Sequence, residues 1–477
     1  MKSFHSSPLA APLSRGADAT LTEQLSARFS ERIRQRLMAP GTRLPSVREC
    51  ARRHGVSAYT VVAAYDQLLA LGLVEARRQR GFYVREPAPE STRPAAEKTV
   101  RAPLPISATT LMRGMFQPPG ALPMPGLGTL PVEWLDLPML ASALRRVSAG
   151  ALLGPLALQY GEPAGDLRLR RALATRLADH GVVASSDQII TTIGATHALD
   201  VVTRTLVRAG DPVLVDEPGW SVEYARLAAL GMRVLPVPRG EDGPDIAVME
   251  RLILAHRPRL YVTVSVLHNP TGASLSLGAA HRLLKLAQVH DLHIVEDDSY
   301  AHLAPAHLPR MAALDALERT IYVSGFSKIL APNWRVGFIA APPALVDRLV
   351  DTKLLSTLTT PSMTEQALAH CLEHGLLRRH AERVTQRLDA ARARAVKLAE
   401  SHGCHFAAPP RGLFGWVDTG VDTERLARVM LDGGWLLAPG ALFHATPRPT
   451  TLMRINFATT QEAQFWRALV QARSGLR

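Results

Sequence analysis

From about Leu111 to the last residue of this 477-residue chain, short apolar runs alternate with helical patterns, and that alternation limits the possible folds more than any other feature. Strand candidates lie at 188–192, 213–215, 260–266, 292–295 and 321–324, with helix-length segments between them. Apolar strands separated by helices pack as a mostly parallel sheet covered by helices, which is an α/β fold.

The alternation does not extend to the N-terminus. Residues 1–17 are rich in Ser, Pro and Ala and are expected to be disordered. Residues 18–86 form a compact helical pattern, and residues 87–114 begin with repeated prolines and read as a semi-rigid linker. Residues 115–477 hold the α/β pattern. More than one domain is expected, since a chain of this length exceeds what one core holds. No apolar run is long enough to span a bilayer, and residues 1–15 contain no signal-peptide core, so the expected location is cytoplasmic. The three cysteines, Cys50, Cys371 and Cys404, are too scattered for a disulfide framework and suit a reducing compartment. Cys404-His405 beside His402 lacks a second ligand pair, so no metal site is expected.

In the N-terminal unit, Leu21, Leu25, Phe29, Ile33 and Leu37 make one apolar helical stripe that Pro40-Gly41 ends. Ser46-Val47-Arg48-Glu49 has the capping-box form and opens a short helix reaching about His54. Gly55-Val56-Ser57 turns into a third helix that buries Val61, Tyr65, Leu68 and Leu69 and stops near Gly72. Two short strands, 73–75 and 82–84, flank a bend containing Arg77, Arg78, Arg80 and Gly81. This order is that of a winged helix-turn-helix, in which one helix enters the major groove and flanking arginines hold phosphates. The chain carries a formal charge of +13, and residues 20–86, with 12 Arg against 6 acidic residues (12 − 6 = +6), supply a large share of it. The run from Gly41 to Glu49, then Gly55-Val56-Ser57, Thr60-Val61 and Gly72-Leu73-Val74, resembles the GntR family of DNA-binding domains. That resemblance implies a double-stranded DNA operator as partner, with Arg43, Ser46, Arg48, Ser57, Tyr59, Thr60, Arg78, Arg80 and Gly81 as candidate contacts. One position departs: where the family usually has Arg after the serine that opens the recognition helix, this chain has Ala58.

In the α/β part, the chemistry-bearing residues follow the strands. Gly194-Ala195-Thr196 opens a helix after the first strand, and such a turn offers amides to a phosphate. Trp220 follows the second strand, His268-Asn269-Pro270 the third, Glu296-Asp297-Asp298-Ser299-Tyr300 the fourth, and Ser324-Gly325-Phe326-Ser327-Lys328 the fifth, with Arg335 shortly after. In open α/β sheets ligands bind beyond the carboxyl ends of the strands. The residue types suit pyridoxal phosphate: a lysine for a Schiff base, a carboxylate for the pyridine nitrogen, an aromatic face, an amide and a phenol for the ring hydroxyl, and arginine with helix amides for the phosphate.

Together these motifs resemble a fold-type I aminotransferase over about residues 115–477. The resemblance implies Lys328 as the Schiff-base lysine, Asp297 as the pyridinium partner, Asn269 and Tyr300 as ring-hydroxyl contacts, and Trp220 as the stacking residue. It further implies Ala195, Thr196 and Arg335 as phosphate contacts, Tyr160 as a tyrosine reaching the neighbouring subunit's phosphate, and Arg454 as the clamp on a substrate or effector carboxylate. A Ser or Thr is common three residues before the lysine; this chain has Gly325 there, with Ser327 as the candidate replacement. A GntR-type domain joined to such a domain is the architecture of the MocR subfamily. It implies a homodimeric regulator that senses pyridoxal phosphate, or an amino acid or amine forming an aldimine with it. The alternative is an active transaminase with DNA binding secondary.

Overall fold

A computed structural model describes residues 19–34, 38–77, 80–85, 107–115, 124–149, 154 and 158–476. Residues 1–17, the linker residues 87–106, Leu37 and Arg78 lie outside the described residues. The chain divides into two compact units between Pro103 and Leu104.

The smaller unit is built from α1 (Leu21–Arg34), α2 (Val47–His54), α3 (Ala58–Ala70), β1 (Val74–Arg77) and β2 (Gly81–Val84). Its core places Leu25, Phe29, Cys50, Val61, Ala64, Tyr65, Leu68, Val74 and Val84 together. Leu69 is only half-buried, because the inward face of α3 is already filled by Val61, Ala64, Tyr65 and Leu68. Tyr65 sits edge-on to Phe29 and Phe82, and its hydroxyl donates to the Pro45 carbonyl at 2.9 Å. Ser46 caps α2 by accepting from the Glu49 amide, and Gly55 ends it in the left-handed region at φ 63°. The expected capping box is only half made: the Glu49 carboxylate turns outward to Arg53, 3.2 Å away.

The larger unit has a seven-stranded sheet in the order β3 (Ile189–Thr192), β9 (Gly337–Ala340), β8 (Thr320–Gly325), β7 (His293–Asp297), β6 (Leu260–Thr263), β4 (Pro212–Glu217), β5 (Arg233–Pro238). Neighbours from β8 to β5 are parallel, and β9 runs antiparallel to both of its neighbours. β6 and β8 are buried along their whole length, as expected of strands covered on both faces. β6 ends at Thr263, short of the expected 266, as the chain leaves the sheet toward the loop carrying Asn269.

A second sheet is antiparallel, in the order β10 (His405–Phe406), β11 (Phe414–Asp418), β13 (Leu452–Asn456), β12 (Ala438–Pro439). It packs into the core cluster that also holds Tyr300, Phe326 and Ile329. A helix, Ala108–Gly114, stands within the stretch read as the end of the linker and buries Leu111 in that same cluster. No helix among the described residues is long and apolar enough to cross a membrane.

Candidate functional site

The carboxyl ends of the parallel strands converge on one set of residues. Asp297 is the last residue of β7, Lys328 lies in the turn after β8, Trp220 follows β4, and Asn269 lies in the loop after β6. Trp220, Asp297 and His268 line one recess with Glu223, Val262 and Val264. Arg454 comes from β13 of the second sheet, and its guanidinium donates to Asn269 Oδ1 at 2.9 Å and to the Gly126 carbonyl. It lies over Phe414 at 4.4 Å and Phe443 at 5.1 Å. Tyr300 is buried and packs edge-on to Phe414.

Four charged groups here share one property: among the described residues, none has an opposite charge within ion-pair distance. Lys328 Nζ donates to the Gly128 carbonyl at 2.9 Å. Burial, with Arg454 and Arg335 nearby, pushes its pKa down to about 8 against the pull of Asp297. Asp297 Oδ1 accepts from the Ser299 amide at 3.0 Å and the Ser299 hydroxyl at 2.5 Å. Burial nevertheless pushes this carboxyl up to about 6, and Glu223 and Asp298 add to the rise. Arg335 donates to Ser327 Oγ and to the Ile193 carbonyl, both at 3.0 Å. Arg454 is buried, and its Nε has no hydrogen-bond partner among the described residues. Asp297 and Arg454 are buried and Lys328 and Arg335 half-buried; charge taken from water without a counter-charge is costly, so this arrangement suits a ligand with complementary groups: anions for Arg335 and Arg454, a protonated nitrogen for Asp297, and an electrophile for Lys328.

The backbone supports the Arg335 end. Gly194, at φ 76°, opens the helix Gly194–Leu206, and a β-carbon there would come within 2.5 Å of Arg335 Nη2. Ala195 and Thr196 form that helix's first turn beside the guanidinium. Gly325 has a physical reason too, because a β-carbon at this position would stand 3.2 Å from the Ala195 amide nitrogen. A serine or threonine there would crowd the amide, and Ser327 takes up the contact with Arg335.

Tyr160 stands apart, 83% exposed, in the loop before the helix Leu167–Ala178. Several supporting residues escaped the sequence reading. Gly126 and Gly128 hold the Arg454 and Lys328 side chains through their carbonyls, and Asn456 Nδ2 fixes that segment by donating to Leu127 and Thr129 carbonyls at 3.0 and 2.8 Å. Ser299, two residues after Asp297, was legible as an Asx-type partner.

On the smaller unit, Arg43, Arg48, Tyr59, Arg80 and Gly81 are exposed. Ser57 caps α3 by accepting from the Thr60 amide at 3.0 Å, and the hydroxyls of Ser57 and Thr60 meet at 2.8 Å. Ser46 is likewise occupied at its cap.

The family model for aminotransferase class I and II matches residues 129–471, and that for bacterial regulatory proteins of the gntR family matches residues 21–84. The probable rhizopine catabolism regulatory protein MocR of Rhizobium meliloti is 32% identical, covering 82% of this chain and 79% of that one. The HTH-type transcriptional regulator YjiR of Escherichia coli is 29% identical over 95% of this chain and 98% of its own length. Among solved structures, the α-aminoadipate aminotransferase LysN of Thermus thermophilus, complexed with N-(5'-phosphopyridoxyl)-L-leucine, superposes with a TM-score of 0.70 at 27% identity, covering 77% of this chain and 95% of that one.

Proposed function

Because this chain belongs to the class I and II aminotransferase family and joins that domain to a GntR-type DNA-binding domain, as MocR-type transcription regulators do, we propose that its larger unit binds pyridoxal 5'-phosphate and an amino compound bearing a carboxylate, and that this ligand state governs operator binding. The observation that carries the reading is the set of four charges that meet beyond the ends of the parallel strands, Arg454 coming from the second sheet, with no counter-ion among the described residues. Lys328 would hold the cofactor covalently, Asp297 would keep its ring nitrogen protonated, and Asn269 and Tyr300 would hold its ring hydroxyl. Trp220 would lie against the ring, and Ala195, Thr196, Ser327 and Arg335 would hold the phosphate. Tyr160 would reach the phosphate site of a second copy in a homodimer. Arg454 would orient the effector's carboxylate. When bound, the cofactor supplies an electron sink to the amino compound. The lowered pKa of Lys328 leaves part of the amine unprotonated near neutral pH, the form that acts as a nucleophile. Coupling to DNA requires an effector with different affinity for two states of the protein. A regulator of this kind works on double-stranded DNA in the cytoplasm.

A second reading, an active transaminase, is favoured by the full complement of Lys328, Asp297, Asn269, Tyr300 and Arg454. One experiment addresses both. The purified chain, incubated with pyridoxal phosphate, is expected to show a visible absorption band that Lys328→Ala abolishes. A panel of amino acids and amines is then added. A band shift that persists, together with altered affinity for the operator, supports sensing. Conversion to the pyridoxamine form, reversed by a 2-oxo acid, supports turnover. No band at any cofactor concentration overturns the cofactor assignment.

A further inference from the structure

We infer that the recognition helix of this chain reads its operator chiefly through thymine methyl groups, with Tyr59 as the main contact and Ala58 and Val62 beside it. The inference rests on the DNA-binding reading of the smaller unit and specifies what that unit recognises.

The inward face of α3 is set by Val61, Ala64, Tyr65 and Leu68. Its outward face over the first turns therefore carries Ala58, Tyr59 and Val62, the last two 82% and 40% exposed. The N-terminal residues of a recognition helix are those that meet base edges. Reading guanine in the major groove calls for Arg or Lys, and reading adenine calls for Asn or Gln. None of these stands between Ala58 and Val62. Thr60 is no substitute, because its hydroxyl is turned back onto Ser57 within the cap. What the face offers is apolar surface and one phenol, and the base-edge group that matches apolar surface is the thymine C5 methyl.

The arginines lie elsewhere. Arg48 and Arg52 are on α2, Arg43 precedes it and Arg80 lies in the wing, all exposed, while Arg53 is paired with Glu49 at 3.2 Å. Their placement suits phosphates, which position a protein without specifying sequence. Arg77 is held by Glu75 at 2.7 Å and stacks over Tyr83 at 4.5 Å, which keeps it on its own hairpin. Charge and base reading are thus divided between α2 with the wing and α3.

The full-length chain is used to select duplexes from a random library, and each thymine of the enriched sequence is replaced in turn by deoxyuridine, which removes only the methyl. Replacement at one or two thymines per half-site is expected to weaken binding roughly fourfold each, the equivalent of about 0.8 kcal/mol for one buried methylene-sized group. Tyr59→Ala is expected to bind thymine and deoxyuridine duplexes equally, with unchanged affinity for unrelated DNA and an unchanged salt dependence. Ala58→Arg is expected to enrich guanine instead. Because Tyr59 is exposed, its loss leaves the helical circular dichroism intact. An enriched duplex that tolerates every deoxyuridine replacement overturns the inference and leaves DNA binding standing. If no duplex outcompetes bulk DNA, the DNA-binding reading itself fails, and this inference with it.

Discussion

The two units differ in whether they bury charge. The smaller one displays arginines on its surface, where even the ion pairs Arg53–Glu49 and Arg77–Glu75 are exposed, at 61% and 45% and at 46% and 42%. The larger one has exposed pairs too, such as Arg378–Glu382, but also takes charge inside: Arg310 and Asp298 meet at 3.0 Å with both side chains 0% exposed, and Arg239 and Asp216 meet at 3.0 Å almost as deeply. Lys353 is also buried, donating to the Pro163 carbonyl at 2.8 Å. The difference follows from what each unit handles. DNA binding uses solvated cations that replace condensed counterions, so exposure suits it. A pocket that tunes a lysine and a carboxylate needs them desolvated, because only there do neighbours shift a pKa far.

The comparison breaks first, and with the largest effect, at the buried pair. Arg310→Met removes the counter-ion of the buried Asp298, which among the described residues keeps only the Tyr322 hydroxyl, 2.9 Å away, as a side-chain donor. The expected loss is roughly 3–5 kcal/mol, read from urea unfolding by tryptophan fluorescence. All six tryptophans (Trp134, Trp220, Trp334, Trp416, Trp435 and Trp466) belong to the larger unit, so the signal reports that unit alone. A loss within 1 kcal/mol, the range typical of surface pairs, would erase the contrast.

Glu296 gives an intermediate effect that depends on pH. Burial pushes its carboxyl up to about 7 from the ordinary 4.5, although it accepts from the Ser265 hydroxyl and from the Met311 and Ala312 amides. A carboxyl that ionises later in the folded than in the unfolded state costs stability as pH rises through that window. The wild type is therefore expected to lose stability relative to Glu296→Gln between about pH 4.5 and 7, and a gap independent of pH would contradict this.

The smallest effect belongs to the other unit. Arg48→Ala, on an exposed position of α2, is expected to change stability by about 0.5 kcal/mol or less, seen as unchanged hydrogen exchange across residues 47–70. Operator binding should nevertheless weaken, with a salt slope shallower by about 0.9 for the lost phosphate contact. An unchanged slope would remove Arg48 from the interface.

What was legible in the sequence was what depends on near neighbours. Ser46 and Ser57 were recognisable as caps because each satisfies an amide three residues on. The strand-end motifs were legible because strand, turn and functional residue fall within a few positions of one another. Even so, Glu49 shows the limit of local reading, since its carboxylate had two partners within reach and took Arg53. β5 and β9 went unread, and of the second sheet only a strand near Cys404-His405 was foreseen. β10 and β12 are two residues long and become strands only by pairing with β11 and β13.

The sequence by itself determined that the chain has a basic helical unit and an α/β unit, and which residue types gather at the strand ends. Helical and strand periodicities and capping are short-range, so they survive in one dimension. Only the tertiary structure decided which of those residues meet. It set Lys328 on the carbonyl of Gly128, 200 residues away, and Arg454 on Asn269, 185 residues away, from a different sheet. It also made Lys328 a weak base and Asp297 a weak acid, because desolvation is a property of the packed surroundings and is written at no single position in the chain.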